Sequence, residues 1–353
     1  MLYQTRQDPM SDIPSDYVTI RLECKHEHAP DTAEFSPFKE RWPDLPEDMK
    51  RRFYDRGGDT TPGAGGTTTT IYNPDTQATE RQFLSLGGTE YNCAGGATPW
   101  GSWLSCEECF EYEGSIRYFD AAARRDRKHG YVFEVDAYSD ELVDAVPIKA
   151  MGRFEHEACA IHEPTGIVYM TEDRQYGLFY RYIPDVPGKL IEGGLLQALV
   201  IKNRPSTQTR NWSAKPDVAL NKPYETAWVD VGNPDPDDNN LRLTGAKLGA
   251  ATFARGEGLC DAGDCFAFTC TEGGHAHVGQ VFTYKPSPFE GTTGEQDEPG
   301  ELTLIAESSR DSLLQNADNL VMAPWGDLVV CEDTAGHCGL VGIRPDGTQY
   351  ALA

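Results

Sequence analysis

The chain has 353 residues, enough to bury a large core, and a formal charge of −25 at pH 7. That balance excludes the basic footprint a nucleic acid needs, and it excludes docking on anionic lipid. It leaves a solvated acidic surface or a cation-binding site.

Thirty-five glycines, 23 prolines, 16 tyrosines and 14 phenylalanines, with few helical periodicities, point to an all-β chain rich in turns. Met1 to Asp16 is polar, with no basic and then apolar leader, and no run approaches the roughly 20 apolar residues of a membrane span. As written, the chain reads as cytoplasmic, and as periplasmic or secreted if residues precede it. Ten cysteines are many for a reduced compartment, but their spacing is not that of a small disulfide scaffold.

Residues 1–60 show little strand pattern and read as an irregular segment, the remnant of a first blade, with a short helix over Glu47–Tyr54. From residue 61 to 353 a single domain is expected. Its glycine-led strands are Gly66–Tyr72, Gly130–Asp136, Gly177–Ile183, Gly279–Lys285 and Gly339–Arg344, most of them closed by a Pro or Asp turn. A second class ends in small or polar residues and then acid: Thr165–Asp173, Gly263–Glu272, and two strands that follow Pro-Trp-Gly. Those two form a repeat. Pro99-Trp100-Gly101 leads to Cys106-Glu107-Glu108, and Pro324-Trp325-Gly326 leads to Cys331-Glu332-Asp333. Paired strands recurring at irregular spacing predict a β-propeller with degenerate blades and long insertions. A β-sandwich explains the strands but not the repeated acidic signature. Two insertions stand out: 30–65 is rich in Pro, Gly and charge, and 203–247, with its prolines and acid cluster, reads as a long surface excursion and a partly ordered rim element.

Cys93 lies in the small-residue turn Asn92-Cys93-Ala94-Gly95-Gly96, where a thiol can approach a metal closely; a buried structural thiol is the alternative. Cys106 and Cys331 occupy the same phase of the two repeat copies and read as core. Cys106-Glu107-Glu108-Cys109 lacks both the second C-x-x-C of a zinc site and the βαβ setting of a redox motif. A disulfide among Cys260, Cys265 and Cys270 is open. Glu107, Glu108, Glu157, Glu172, Asp173, Glu257, Asp318 and Glu332 stand at strand ends or turns, where carboxylates suit hard cations. Arg255, two residues before Glu257 and beside Gly256, offers a guanidinium fork to a phosphate, with a surface ion pair as the alternative. No P-loop, zincin helix or nucleophile elbow is present.

Four ordered motifs resemble the PhoX-type alkaline phosphatase family from about Gly65 to the carboxy terminus. They are Asn92–Gly96 with Thr98–Gly101 and Cys106–Glu108; Gly152-Arg153-Phe154-Glu155-His156-Glu157-Ala158; Arg255-Gly256-Glu257-Gly258; and Ala317-Asp318-Asn319-Leu320 with the second repeat copy. The resemblance implies a six-bladed propeller that hydrolyses small phosphate monoesters at a cluster of two ferric ions and calcium on its axis, working as a monomer. It assigns Cys93 and Arg255 to catalysis, as bridging thiolate and phosphate-holding arginine. It places Cys93, Glu107, Glu108, Glu157, Glu257, Asp318 and Glu332 among the metal ligands. The chain departs from the family in lacking a twin-arginine signal and in carrying Lys25-His26-Glu27-His28 where an Asn-His-Glu motif is expected. A non-catalytic calcium-binding propeller serving as a partner- or ligand-binding module is the alternative, and a lactonase-like propeller with one calcium ranks last.

Overall fold

The computed structural model describes residues 2–5, 18–23, 42–117 and 120–353. The Lys25–His28 motif lies outside them. The fold is nearly all-β, and the chain divides into two compact units, Met1–Ile148 and Lys149–Ala353.

In the first unit, β1 (Leu2–Thr5), β2 (Val18–Glu23), β3 (Gly65–Asn73) and β4 (Ala78–Thr89) pair in chain order as an antiparallel sheet. Helices α1 (Glu47–Lys50) and α2 (Gly57–Thr60) precede β3. The helix expected over Glu47–Tyr54 stops at Lys50. Phe53 and Tyr54 turn into the interior, and the N–H groups of Tyr54 and Asp55 donate to the Gly87 and Gly88 carbonyls, both at 3.0 Å. Strand pairing thus takes the donors that another helical turn would need. Next come β5 (Asn92–Ala97) and β6 (Ser102–Glu107), a hairpin of β7 (Ile116–Arg117) and β8 (Asp120–Arg124), and β9 (Val132–Asp136), which pairs with β6.

The second unit is built from three four-stranded antiparallel meanders. β10 (His156–His162), β11 (Ile167–Glu172), β12 (Phe179–Pro184) and β13 (Gly194–Ile201) make the first. The insertion then supplies β14 (Pro223–Asp230) and α3 (Leu241–Lys247). β15 (Gly256–Asp261), β16 (Phe266–Cys270), β17 (Gln280–Lys285) and β18 (Glu301–Glu307) make the second meander. The third is β19 (Ala317–Met322), β20 (Leu328–Glu332), β21 (Leu340–Ile343) and β22 (Gln349–Ala351). The 203–247 excursion is therefore ordered around a strand: Pro223–Glu225 pair with β18 and Thr226–Asp230 with β13.

Alternation decides which faces are buried. Leu302, Leu304 and Ala306 of β18 point inward, with more exposed residues between them, whereas every residue of β16 is buried, as a strand covered on both faces requires. Aromatic rings pack the first meander against the second, with Phe179 stacked on Phe268 at 4.5 Å, and Phe268 stacks in turn on Phe282 within the second at 5.3 Å. Aliphatic side chains, among them Val281, Leu328, Val330 and Ile343, join the second to the third. The leading strands of the meanders lie side by side, β15 between β10 and β19. Among the described residues no helix is long and apolar enough to cross a membrane.

Candidate metal centre

Four strands, β5, β10, β15 and β19, carry a β-bulge near their beginnings. In β10, Glu157 and Ala158 stand opposite the single residue Thr171. In β15, Glu257 and Gly258 oppose Thr269; in β19, Asp318 and Asn319 oppose Cys331. A bulge breaks the strict in-and-out alternation and re-aims a side chain. In these three strands the first bulge residue is an acid. Gly258 allows the close approach this needs, since a Cβ there would sit 2.7 Å from the Asn319 Cα.

One carboxylate oxygen each of Glu157, Glu257 and Asp318 lie within 4.8 Å of one another. Glu157 and Glu257 are buried and Asp318 is half-buried. Burial, together with the charges of Glu157, Asp173 and Asp318, pushes the Glu257 carboxyl well above the usual carboxylate range, and Arg255 offsets only part of this. Converging hard oxygen donors that repel one another fit a divalent or trivalent cation.

Arg255 has φ +55°, the left-handed region that non-glycine residues seldom occupy, and such strain clusters at functional sites. Its Nε and Nη2 donate to the two Asp173 oxygens at 2.8 and 2.6 Å, a bidentate fork. Nη2 also lies 3.3 Å from Glu257, and Nη1 4.0 Å from Glu272. Burial works against the charge of Arg255, but the bonds and charges of Asp173, with Glu257 and Glu272, outweigh it and raise its pKa.

In the first unit, Cys93 is buried on β5 beside Cys106 of β6, next to the bulge Ala94-Gly95 opposite Ser105. That bulge needs its glycine: Gly95 has φ +79°, and a Cβ would lie 2.0 Å from the Leu104 oxygen. The Cys93 Sγ and a Glu108 carboxylate oxygen lie within 4.8 Å of each other. Glu107 is placed otherwise. Its carboxylate accepts from the N–H groups of Glu90, Gly130 and Tyr131 at 2.9, 2.8 and 3.2 Å, and from His129 Nδ1 at 2.6 Å. His129 Nε2 meets Asp55 at 2.9 Å, and Glu90 is held by Arg117 and Arg125, each at 2.6 Å. Arg117 also pairs with Asp55 at 2.5 Å. This is a buried knot of three carboxylates and three cationic side chains. Although burial opposes the imidazolium, Glu107, Glu90 and Asp55 push the pKa of His129 up to about 10.

The structure thus gathers Glu157, Glu257 and Asp318, sets Arg255 beside Glu257, and sets Cys93 beside Glu108. Glu332 instead braces loops, accepting from Gln315 N at 2.7 Å and Gly339 N at 3.0 Å. The two repeat copies share a phase relative to their turns but not relative to their bulges. Cys106 flanks its bulge by pairing with Cys93, while Cys331 faces the bulge and Glu332 takes the flanking place. The bulge of β19 begins one residue further from its turn, and that shift separates the two cysteines. Among the described residues no cysteine is in a disulfide, Cys260, Cys265 and Cys270 included. Asp173, the fork partner of Arg255, was visible in the sequence only as one strand-end acid among several. Thr171 and Thr269 each stand just before the flanking position, and that spacing was the one signal for them.

A family model described as alkaline phosphatase PhoX matches residues 43–353. The solved structure of Pseudomonas fluorescens PhoX in complex with vanadate, a transition state analogue, is similar in fold, at 18% identity and a TM-score of 0.53. The match covers 79% of this chain and 62% of that one, so this chain spans less than two thirds of that protein. A glucose dehydrogenase crystal structure is 12% identical over 93% of this chain and 78% of its own, with a TM-score of 0.40. No curated protein sequence matches.

Proposed function

The chain belongs to the alkaline phosphatase PhoX family, and from that premise we propose that it is a metal-dependent phosphatase acting on small phosphate monoesters. The observation that carries this reading is the convergence of Glu157, Glu257 and Asp318 within 4.8 Å beside a guanidinium fork. By family resemblance the proposal extends to a six-bladed propeller with two ferric ions and calcium. The oxygen-only set of Glu157, Glu257 and Asp318 suits calcium, and the thiolate of Cys93 with Glu108 suits iron. Glu107 and Glu332, whose oxygens already accept backbone N–H groups, are left out of that set.

Bound cations neutralise the acids and supply Lewis acidity to the ester. The remaining chemistry belongs to the side chains. Asp173 fixes the Arg255 plane by its two-point contact, so little rotamer freedom is lost when phosphate binds. Nη1, too far from Glu272 for a hydrogen bond, keeps its protons for a phosphate oxygen as charge builds on it in the transition state. Without cations Arg255 faces Asp173, Glu257 and Glu272, and a phosphate dianion would be repelled. Binding of ester and of cation is therefore coupled.

The test joins metal analysis of the purified protein to turnover of p-nitrophenyl phosphate at alkaline pH. Iron with calcium and measurable hydrolysis supports the reading. Calcium without iron, or bound metal with no turnover of any phosphoester, overturns it and favours a non-catalytic calcium-binding module.

A further inference from the structure

The three acids sit on strands that no backbone ladder joins. β15 and β19 are each the terminal strand of their own sheet order, their backbone ladders among the described residues running to β16 and β20 alone, although β15 packs between β10 and β19. Something else must hold the bulges in relative register, because a cation tolerates only a few tenths of an ångström in ligand distance.

Two threonine hydroxyls bridge that gap. Thr171, directly across from the Glu157–Ala158 bulge, accepts from the Ala158 N–H at 3.1 Å and donates to the Glu257 carbonyl at 2.5 Å. Thr269, across from the Glu257–Gly258 bulge, donates to the Asp318 carbonyl, with the Gly258 carbonyl a second, weaker acceptor at 3.4 Å. Both side chains are fully buried. Each hydroxyl therefore faces one bulge and holds the backbone of the acid on the next leading strand. The third equivalent place holds Cys331, whose thiol is a weak donor, and the series ends there.

We propose that Thr171 and Thr269 are positioning residues that set the spacing of Glu157, Glu257 and Asp318 for a shared divalent cation. This rests on the cation-binding part of the reading above and names the residues that tune it. Neither threonine touches substrate; each acts through a neighbouring backbone.

The test is calorimetric titration of the full chain with calcium alone, after chelator treatment. Glu257→Gln establishes whether the three acids bind calcium. Thr171→Val and Thr269→Val keep the shape and remove the hydroxyl. Each should weaken calcium binding about 10–100-fold, the range for residues that orient ligands. Thr269→Ser, which restores the hydroxyl, should return the affinity to the parent value. A purely structural threonine would lower the melting temperature in the valine variants and leave calcium affinity alone; that result overturns the proposal. Should Thr269→Val fail to fold, Thr269→Cys, borrowing the residue found at Cys331, reads the same affinity with a weak donor. If Glu257→Gln leaves calcium binding unchanged, the cation reading itself fails and takes this inference with it. If only the threonine variants are silent, the inference alone is wrong.

Discussion

The buried acids of the first-unit knot and those around Glu257 are treated in opposite ways. In the knot of the first unit, Asp55, Glu90 and Glu107 are met by Arg117, Arg125 and His129, three charges against three, with hydrogen bonds to both His129 nitrogens. Around Glu257, the charges of Glu157, Asp173 and Asp318 together with burial outweigh the one cation, Arg255, that lowers its pKa among the largest influences. The same side-chain chemistry yields a self-neutralised scaffold in one place and mutually repelling carboxylates in the other.

Removing one charge from the balanced region should have the largest effect. Glu90→Gln leaves Arg117 and Arg125 buried without their shared carboxylate and should cost about 3–5 kcal/mol in denaturant unfolding, with calcium affinity unchanged. In the unbalanced region, Arg255→Ala should lower kcat/KM for p-nitrophenyl phosphate by about 100–1,000-fold, with little loss of thermal stability. Equal losses in both assays would remove the distinction between scaffold and site.

The knot also carries a pH signature. The folded pKa of His129, about 10, lies above its ordinary 6.5, so folding takes up a proton between these values. The stability it contributes is whole below about pH 6.5 and falls as pH rises towards about 10, by on the order of 5 kcal/mol. Unfolding curves across that window should slope downward in the parent and flatten in His129→Gln. The smallest expected effect lies at the acid cluster. Glu257→Gln relieves repulsion and should stabilise the cation-free protein by about 1 kcal/mol, while abolishing the rise in melting temperature that calcium gives the parent. If that variant is instead less stable without calcium, the cluster is not under electrostatic stress.

Strand positions were legible in the sequence because they rest on local signals. Gly130–Asp136 and Gly279–Lys285, each a glycine and a β-rich run before a turn, contain β9 and β17 as observed. The acids Glu157, Glu257 and Asp318 were legible as candidates because each lay at an expected strand end or turn and within a motif that carries the family resemblance. What could not be read was register. A bulge displaced by one residue gives Cys106 and Cys331 different neighbours, although their local sequences match. Long-range charge pairing was equally hidden. Nothing near Glu107 announces that His129 will take its oxygen, since the pairing joins residues 22 apart through the path of β6 and β9. Asp55 with His129, 74 residues apart, is further still from any local pattern.

The strand contributed by the 203–247 excursion has a consequence for the protein in solution. β13 and β18 would each end a meander with a row of unpaired backbone groups, a template on which other chains can add. β14 covers both, giving its first three residues to β18 and its last five to β13, and it opens with Pro223, which has no N–H to offer. A surface loop can ordinarily be trimmed without harm to solubility. Here, deletion would uncover two sticky edges at once, and the shortened chain should aggregate before it unfolds.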